Sequence, residues 1–119
     1  MKPIVYYYPK CSTCQKAVKW LTDHGVEAEL RSIVDETPSA ADIRDSWAQS
    51  GLPLRRFFNA SGMKYRELAL SNRLPDMPEA EQLTLLASDG MLIKRPFVVA
   101  ENGVLLGFKV DQWAAFFNV

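Results

Sequence analysis

The sequence predicts an α/β fold, and three observations carry the prediction. Near the start, the β-branched and aromatic run at residues 4–8 gives way after Pro9 to an apolar stripe of helical period. Near the end, two short apolar segments flank Asn102-Gly103, a dipeptide typical of tight hairpins. Between them, residues 38–90 read as mostly helical, with caps and stops in sequence. The order is β-α-β, a helical insertion, then β-β-α. A crossover of that length makes parallel neighbours and a hairpin makes antiparallel ones, so the sheet should be mixed and four-stranded.

Each element has a local reason. Residues 4–8 (IVYYY) lack strict alternation, the pattern of a strand buried on both faces. From Cys11 the period changes: Cys14, Ala17, Val18 and Leu21 fall at i, i+3, i+4 and i+7, and Gly25 supplies a stop. The segment VEAELRSIV then alternates as a second strand. Ser39 and Asp42 are spaced as a capping box for a helix carrying Ile43 and Trp47, which Gly51 ends. After an apolar turn and the loop Asn59-Ala60-Ser61-Gly62, another helical piece carries Tyr65, Leu68 and Ala69. A further helix is expected from Asp76 and Glu79, a second capping-box spacing with Pro78 in the first turn, to Gly90. The hairpin around Asn102-Gly103 and a short apolar helix over DQWAAFFNV complete the chain.

Composition narrows the function classes. A chain of 119 residues, 48% hydrophobic, fits one domain spanning residues 1–119, with its helical insertion at about 38–90. Fourteen basic residues balance fourteen acidic ones, and no like-charged block is available to neutralise a run of phosphates, so direct nucleic-acid binding is not expected. The apolar run before Pro9 is too short for a secretory signal, and no stretch approaches the length of a membrane span. A soluble cytoplasmic protein is the expectation. In a reducing cytosol a structural disulfide would not persist, which directs attention to transient chemistry at the chain's two cysteines.

Cys11 and Cys14 sit three apart at a strand-to-helix junction. Cys11 falls at the helix start, where unpaired N–H groups and the positive end of the macrodipole favour an anion such as a thiolate. Lys10 adds a neighbouring cation. Cys14 lies one turn deeper on the apolar stripe, so the expected roles differ: Cys11 attacks and Cys14 resolves. Buried structural cysteines are the alternative. A metal site would need about four ligands, and His24 lies roughly 15 Å along the same helix, out of reach of Cys11. In KRPFVV, Pro96 precedes the third strand, where an X-Pro bond can be cis. In a thioredoxin-like arrangement that turn faces the helix start and brings Arg95, a permanent cation with a fork of donors, beside the sulfurs. A solvated arginine before an edge strand is the plainer reading of the same dipeptide.

The element order is that of the thioredoxin fold with extra helices between its halves. With YYYPKCSTCQKAVKWL, FFNASGMKYREL, LIKRPFVV and LLGFKVDQW in that order, the chain resembles the ArsC-like family over nearly its whole length. That family comprises glutaredoxin-dependent arsenate reductases, Spx-type regulators and the YffB-type relatives. The resemblance implies a thiol reductase with no bound cofactor and no metal, using glutathione as co-substrate and taking glutathione, glutaredoxin or protein thiols as partners. It implies Cys11 and Cys14 as catalytic residues, with Arg95, Pro96, Lys10 and Asn59 on the substrate side.

The branches differ in their residues. The arsenate reductases pair the cysteine matched by Cys11 with three oxyanion-binding arginines. Here Arg95 matches one, Asn59 stands at the second, and the third falls near Phe108 or Lys109. Cys14 replaces a serine of that branch, and Gln15 an arginine. Spx-type regulators share the cysteine pair and bind the C-terminal domain of the RNA polymerase α subunit. They carry an Arg-Ser-rich stretch where this chain has Asn59-Ala60-Ser61-Gly62. The Asn-x-x-Gly-x-x-Tyr form looks most like the YffB-type branch, glutathione-dependent thiol reductases.

Overall fold

The computed structural model describes residues 2–119. Its sheet has the order β2-β1-β3-β4, with β1 at Ile4–Tyr7, β2 at Glu29–Ser32, β3 at Phe97–Ala100 and β4 at Gly103–Leu106. β1 runs parallel to β2 and antiparallel to β3, and β3 pairs antiparallel with β4. The mixed four-stranded sheet expected from the sequence is therefore present. Helix α1, Ser12–Asp23, connects the parallel pair. Among the described residues no helix is long and apolar enough to cross a membrane.

The twofold alternation of β-strands divides the core between the two sheet faces. Val5, Val98 and Leu105 turn to one face and pack with Ala17, Trp20 and Leu21 of α1 and Trp113 of the last helix, α6 (Val110–Phe117). Tyr6 and Phe97 turn to the other, joining Ile33, Ile43, Phe57, Phe58, Leu70, Leu86 and Ile93. Trp113 is fully enclosed. Its indole N–H donates to the Gly107 carbonyl at 3.0 Å, which satisfies the polar end of an otherwise apolar side chain. At about 25 cal/mol per Å², burying a side chain of that size contributes roughly 4–6 kcal/mol.

Between β2 and β3 run α2 (Ala40–Ser50), α3 (Met63–Glu67), α4 (Leu70–Arg73) and α5 (Glu79–Ser88), with 3-10 turns at Leu54–Phe57, Leu74–Asp76 and Gly90–Leu92. The start of α2 is as expected: the Ser39 hydroxyl accepts from the Asp42 N–H at 3.1 Å, and Gly51 ends the helix at φ 70°.

Four local expectations are corrected. The helical piece expected through Tyr65, Leu68 and Ala69 stops at Glu67. Ala69 turns left-handed at φ 52°, and the break re-aims the chain so that Leu70 enters the core. Asp76 does not cap α5, because Met77 and Pro78 are both extended, as a residue preceding proline prefers. The start of α5 is instead fastened by Gln82, whose buried amide donates to the Met77 carbonyl at 2.9 Å and the Leu74 carbonyl at 3.3 Å. Gly90 is no helix stop but a point of close approach: a Cβ there would lie 2.0 Å from the Ile33 carbonyl oxygen. In the hairpin, Ala100 pairs with Gly103, so the two-residue loop is Glu101-Asn102, one position earlier than a turn centred on Asn102-Gly103. The Asn102 amide is used elsewhere, donating to the Phe116 carbonyl at 3.0 Å and tying the hairpin to α6.

Candidate functional site

The strand-to-helix junction is built by backbone bonds. The Cys11 N–H donates to the Tyr8 carbonyl at 3.0 Å, which closes a turn through Pro9 and Lys10. Cys11 is the N-cap residue of α1, extended at φ −86° and ψ 121°, and its carbonyl accepts the Gln15 N–H at 3.0 Å. The Gln15 side chain donates to the Pro9 carbonyl at 2.8 Å and braces the turn from the helix side. Cys11 is partly exposed, whereas Cys14, one position from a full turn deeper, is completely buried. The Tyr8 N–H donates to Cys14 Sγ at 3.5 Å, so the strand end holds the inner sulfur in place.

These settings drive the two thiols apart. Partial burial pushes the Cys11 thiol up. The Cys14 backbone N–H, the Cys14 thiol, the Thr13 backbone N–H and the positive charge of Arg95 outweigh it and bring Cys11 below the ordinary thiol value. Burial pushes Cys14 up to about 11 against the pull of the Tyr8 N–H, and the hydrogen bond and negative charge from Cys11 push it the same way. The partly exposed sulfur is thus the more readily ionised of the two, and the buried one the more firmly protonated.

Arg95 is carried by the segment leading into β3, where the Arg95-Pro96 peptide bond is cis. Pro96 is buried, and its carbonyl accepts the Gly107 N–H at 2.9 Å. The Arg95 guanidinium carbon stands 5.3 Å from the centroid of the Tyr8 ring. One terminal nitrogen donates weakly to the Met91 carbonyl at 3.4 Å. Its Nε is buried and has no hydrogen-bond partner among the described residues.

A cleft of about 910 Å³ opens over Cys11. Cys11 and Thr13 line it together with Asn59, residues 61–64, Arg95, Phe108 and Lys109. Of the residues singled out from sequence, Cys11, Arg95 and Asn59 share this cleft, while Cys14 and Pro96 stand behind it in the core. Lys10 is exposed and is not part of the lining. Lys64 lines the cleft, but Tyr65 packs its ring against Phe58, with centroids 6.4 Å apart. Arg56, Asp89 and Lys94 also line it and carry no sequence signal beyond their charge, apart from the adjacency of Lys94 to Arg95. Tyr8, read from sequence as part of the first strand, lies just beyond the end of β1 and forms the platform beneath Arg95. Among the described residues no three His, Cys, Asp or Glu side chains converge in a way that could hold a metal ion. His24 stacks on Trp20 at the far end of α1, ring centroids 4.2 Å apart.

Comparison with known proteins places this geometry among relatives. A family model described as the ArsC family matches residues 6–116. An uncharacterised protein of Bacillus subtilis, YusI, is 54% identical over 108 residues, covering 91% of this chain and 92% of its own. The arsenate reductase of Rhizobium meliloti is 29% identical over 106 residues, covering 89% of this chain and 74% of its own. The regulatory protein MgsR of Bacillus subtilis is 25% identical over 107 residues, covering 90% and 83%. Among solved structures, an ArsC family related protein of Bacteroides fragilis superposes with a TM-score of 0.92 at 50% identity, covering 97% of this chain and 98% of the other.

Proposed function

The chain belongs to the ArsC family, and on that footing we propose that it is a thiol–disulfide oxidoreductase in which Cys11 attacks, Cys14 resolves and glutathione supplies the electrons. The observation that carries the reading is the inequality of two neighbouring sulfurs: Cys11 sits partly exposed at the cleft with a lowered pKa, and Cys14 is buried with a pKa near 11. An attacking thiol must be ionised and reachable, and a resolving thiol must be close and wait.

The order of events follows from the same charges. Cys11 thiolate attacks one sulfur of a disulfide R–S–S–R; the old S–S bond breaks, a Cys11–S–S–R bond forms and R–S⁻ departs. While Cys11 is an anion, it helps hold the proton on Cys14. Once Cys11 is in the mixed disulfide that charge is gone; burial still holds Cys14 up, but the Tyr8 N–H and the Arg95 charge now lower it without opposition from the Cys11 anion. Cys14 then gives its proton to the first R–S⁻ or to water, attacks the Cys11 sulfur and expels the second R–S⁻, so two electrons pass from the cysteine pair to the substrate. Two glutathione thiols restore the dithiol by the reverse exchange and leave as oxidised glutathione.

The mass of the protein after exposure to oxidised glutathione tests this scheme. The wild-type chain should lose two hydrogens as the internal disulfide forms, and Cys14→Ser should retain a glutathione adduct. An adduct-free, unoxidised wild-type chain, or full disulfide-reducing activity in Cys11→Ser, would overturn it.

A further inference from the structure

We propose that the cleft selects disulfides that carry carboxylates, and that Arg56, Lys94 and Lys109 form the rim that reads them. The inference rests on the thiol-exchange reading and names the substrate class of that site.

The chain as a whole has no net charge, yet the cleft lining is strongly one-sided. Arg56, Lys64, Lys94, Arg95 and Lys109 face it, against Glu67 and Asp89. The Asp89 carboxylate is already engaged, accepting the Met91 N–H at 2.9 Å to cap its turn. The ion pairs found among the described residues join Lys2 to Glu27, Lys19 to Asp23, Arg31 to Glu29 and Arg44 to Asp45, and none draws on a cleft cation. Charges of one sign in a low-dielectric cleft focus the field and raise the local concentration of the opposite sign.

The three rim residues come from separate places and are held there by backbone. Arg56 sits on the 3-10 turn Leu54–Phe57. Lys94 is anchored by its N–H, which donates to the Phe57 carbonyl at 2.8 Å, and its stem crosses Gly107, where an added Cβ would lie 3.3 Å from Lys94 Cε. That path brings it to the wall that also carries Lys109. Arg95 also lines the cleft, and its Nε is a buried donor with no hydrogen-bond partner among the described residues, a costly state while no acceptor is present. A carboxylate oxygen is such an acceptor, and guanidinium donors fit it well. The volume, about 910 Å³, is that of a small-molecule pocket, which points to a compact acid disulfide rather than a protein surface.

The exchange is balanced as before: Cys11 S⁻ replaces one R–S⁻ of R–S–S–R, and the carboxylates of R are bound but unchanged. The same cations hold the departing acid thiolate, which carries one charge more than its bound form.

The test compares second-order rates of the reduced protein with 3,3′-dithiodipropionate, bis(2-hydroxyethyl) disulfide and cystamine, each normalised to its rate with free mercaptoethanol. At low salt the dianionic disulfide should exceed the dicationic one by about tenfold or more, and the ratio should approach unity near ~1 M salt, where the Debye length is only ~3 Å. The triple variant Arg56→Gln, Lys94→Gln, Lys109→Gln should lose at least about fivefold of the anion-to-neutral ratio. Thiolate absorbance measured across pH on each variant separates lost docking from a changed nucleophile. Lys94→Gln alone serves if the triple variant fails to fold, and should lose part of the same ratio. Rates blind to charge in the wild type, or an unchanged ratio in a folded variant, would overturn the inference. No reaction with any of the three disulfides would instead overturn the thiol-exchange reading beneath it.

Discussion

The Arg95 guanidinium carbon lies 5.3 Å from the centre of the Tyr8 ring, and the N–H of that same Tyr8 donates to Cys14 Sγ. One residue just after β1 therefore supports both the guanidinium and the buried sulfur. Replacing Arg95 with Met should raise the Cys11 pKa, because the cation, together with the Cys14 and Thr13 hydrogen bonds, lowers it. Alkylation by iodoacetamide, followed against pH, would show its midpoint moved upward and its rate at neutral pH reduced by about three- to tenfold. Tyr8→Leu should move it the same way by less, since the charge remains but loses its platform. A midpoint unmoved in Arg95→Met would mean that the arginine does not act on the thiol.

Cys14 should make the folded state sensitive to base. Its pKa is raised to about 11 in the fold, whereas in the unfolded chain a thiol ionises near ~8.5. A raised folded pKa contributes stability below the unfolded value and loses it as pH climbs through the folded one, so the loss falls between about pH 8.5 and 11. Cys14→Ala should be less stable near neutral pH from its lost packing. Its unfolding free energy, measured by urea titration, should decline by about 2–3 kcal/mol less than that of the wild type over that window. Parallel declines in the two proteins would contradict the assignment.

Gly90 offers a test of how the helical segment is fastened to the sheet. A methyl group there would stand 2.0 Å from a backbone oxygen of Ile33, which cannot move aside as a flexible side chain would. Gly90→Ala should therefore cost at least about 2 kcal/mol, although a change of this type in an unstrained backbone normally stabilises. Gly62→Ala is the useful contrast: the atom nearest to its Cβ is the Asn59 side-chain nitrogen at 2.8 Å, which can swing away, so a smaller loss is expected. Equal thermal shifts in the two variants would argue against the difference.

Arsenate should be a poor substrate. Of the three oxyanion-binding arginines that the resemblance assigns to arsenate reductases, one has a clear counterpart here, Arg95. Asn59 instead receives a hydrogen bond from Ser61 at 3.3 Å, and Phe108 packs edge-on to Trp113 with ring centroids 4.9 Å apart. A steady-state assay with arsenate, glutaredoxin and glutathione should give turnover close to background. Turnover matching the rate of disulfide exchange would show that the remaining cations suffice.

What could be read from the sequence was local. The cysteine pair, the helix beginning beside it, the Ser39 cap, the hairpin strands and the proline before β3 each announce themselves within a few residues, by period, cap or turn chemistry. What could not be read was either a conflict between two local signals or a dependence on neighbours far along the chain. Asp76 looked like a cap because spacing alone defines that signal, while the extended Met77-Pro78 pair that displaces it is enforced by the ring of Pro78. Gly90 looked like a stop because the Ile33 carbonyl that demands it lies in a different segment. Arg56 and Lys94 were invisible for the same reason: a charged residue signals a surface, and the fold decides which surface faces the sulfur.

The bond from the Lys94 N–H to the Phe57 carbonyl joins the two stretches that make up most of the far wall of the cleft, whereas Cys11, Cys14 and Tyr8 all belong to one short stretch at the other end of the chain. On the proposed reading, reagent and selector are written in separate parts of the chain. Substitutions within residues 56–67 and at Lys94 would then redirect the choice of substrate while the sulfur chemistry stays intact, giving a single scaffold the means to serve descendants that share a reaction and differ in what they admit.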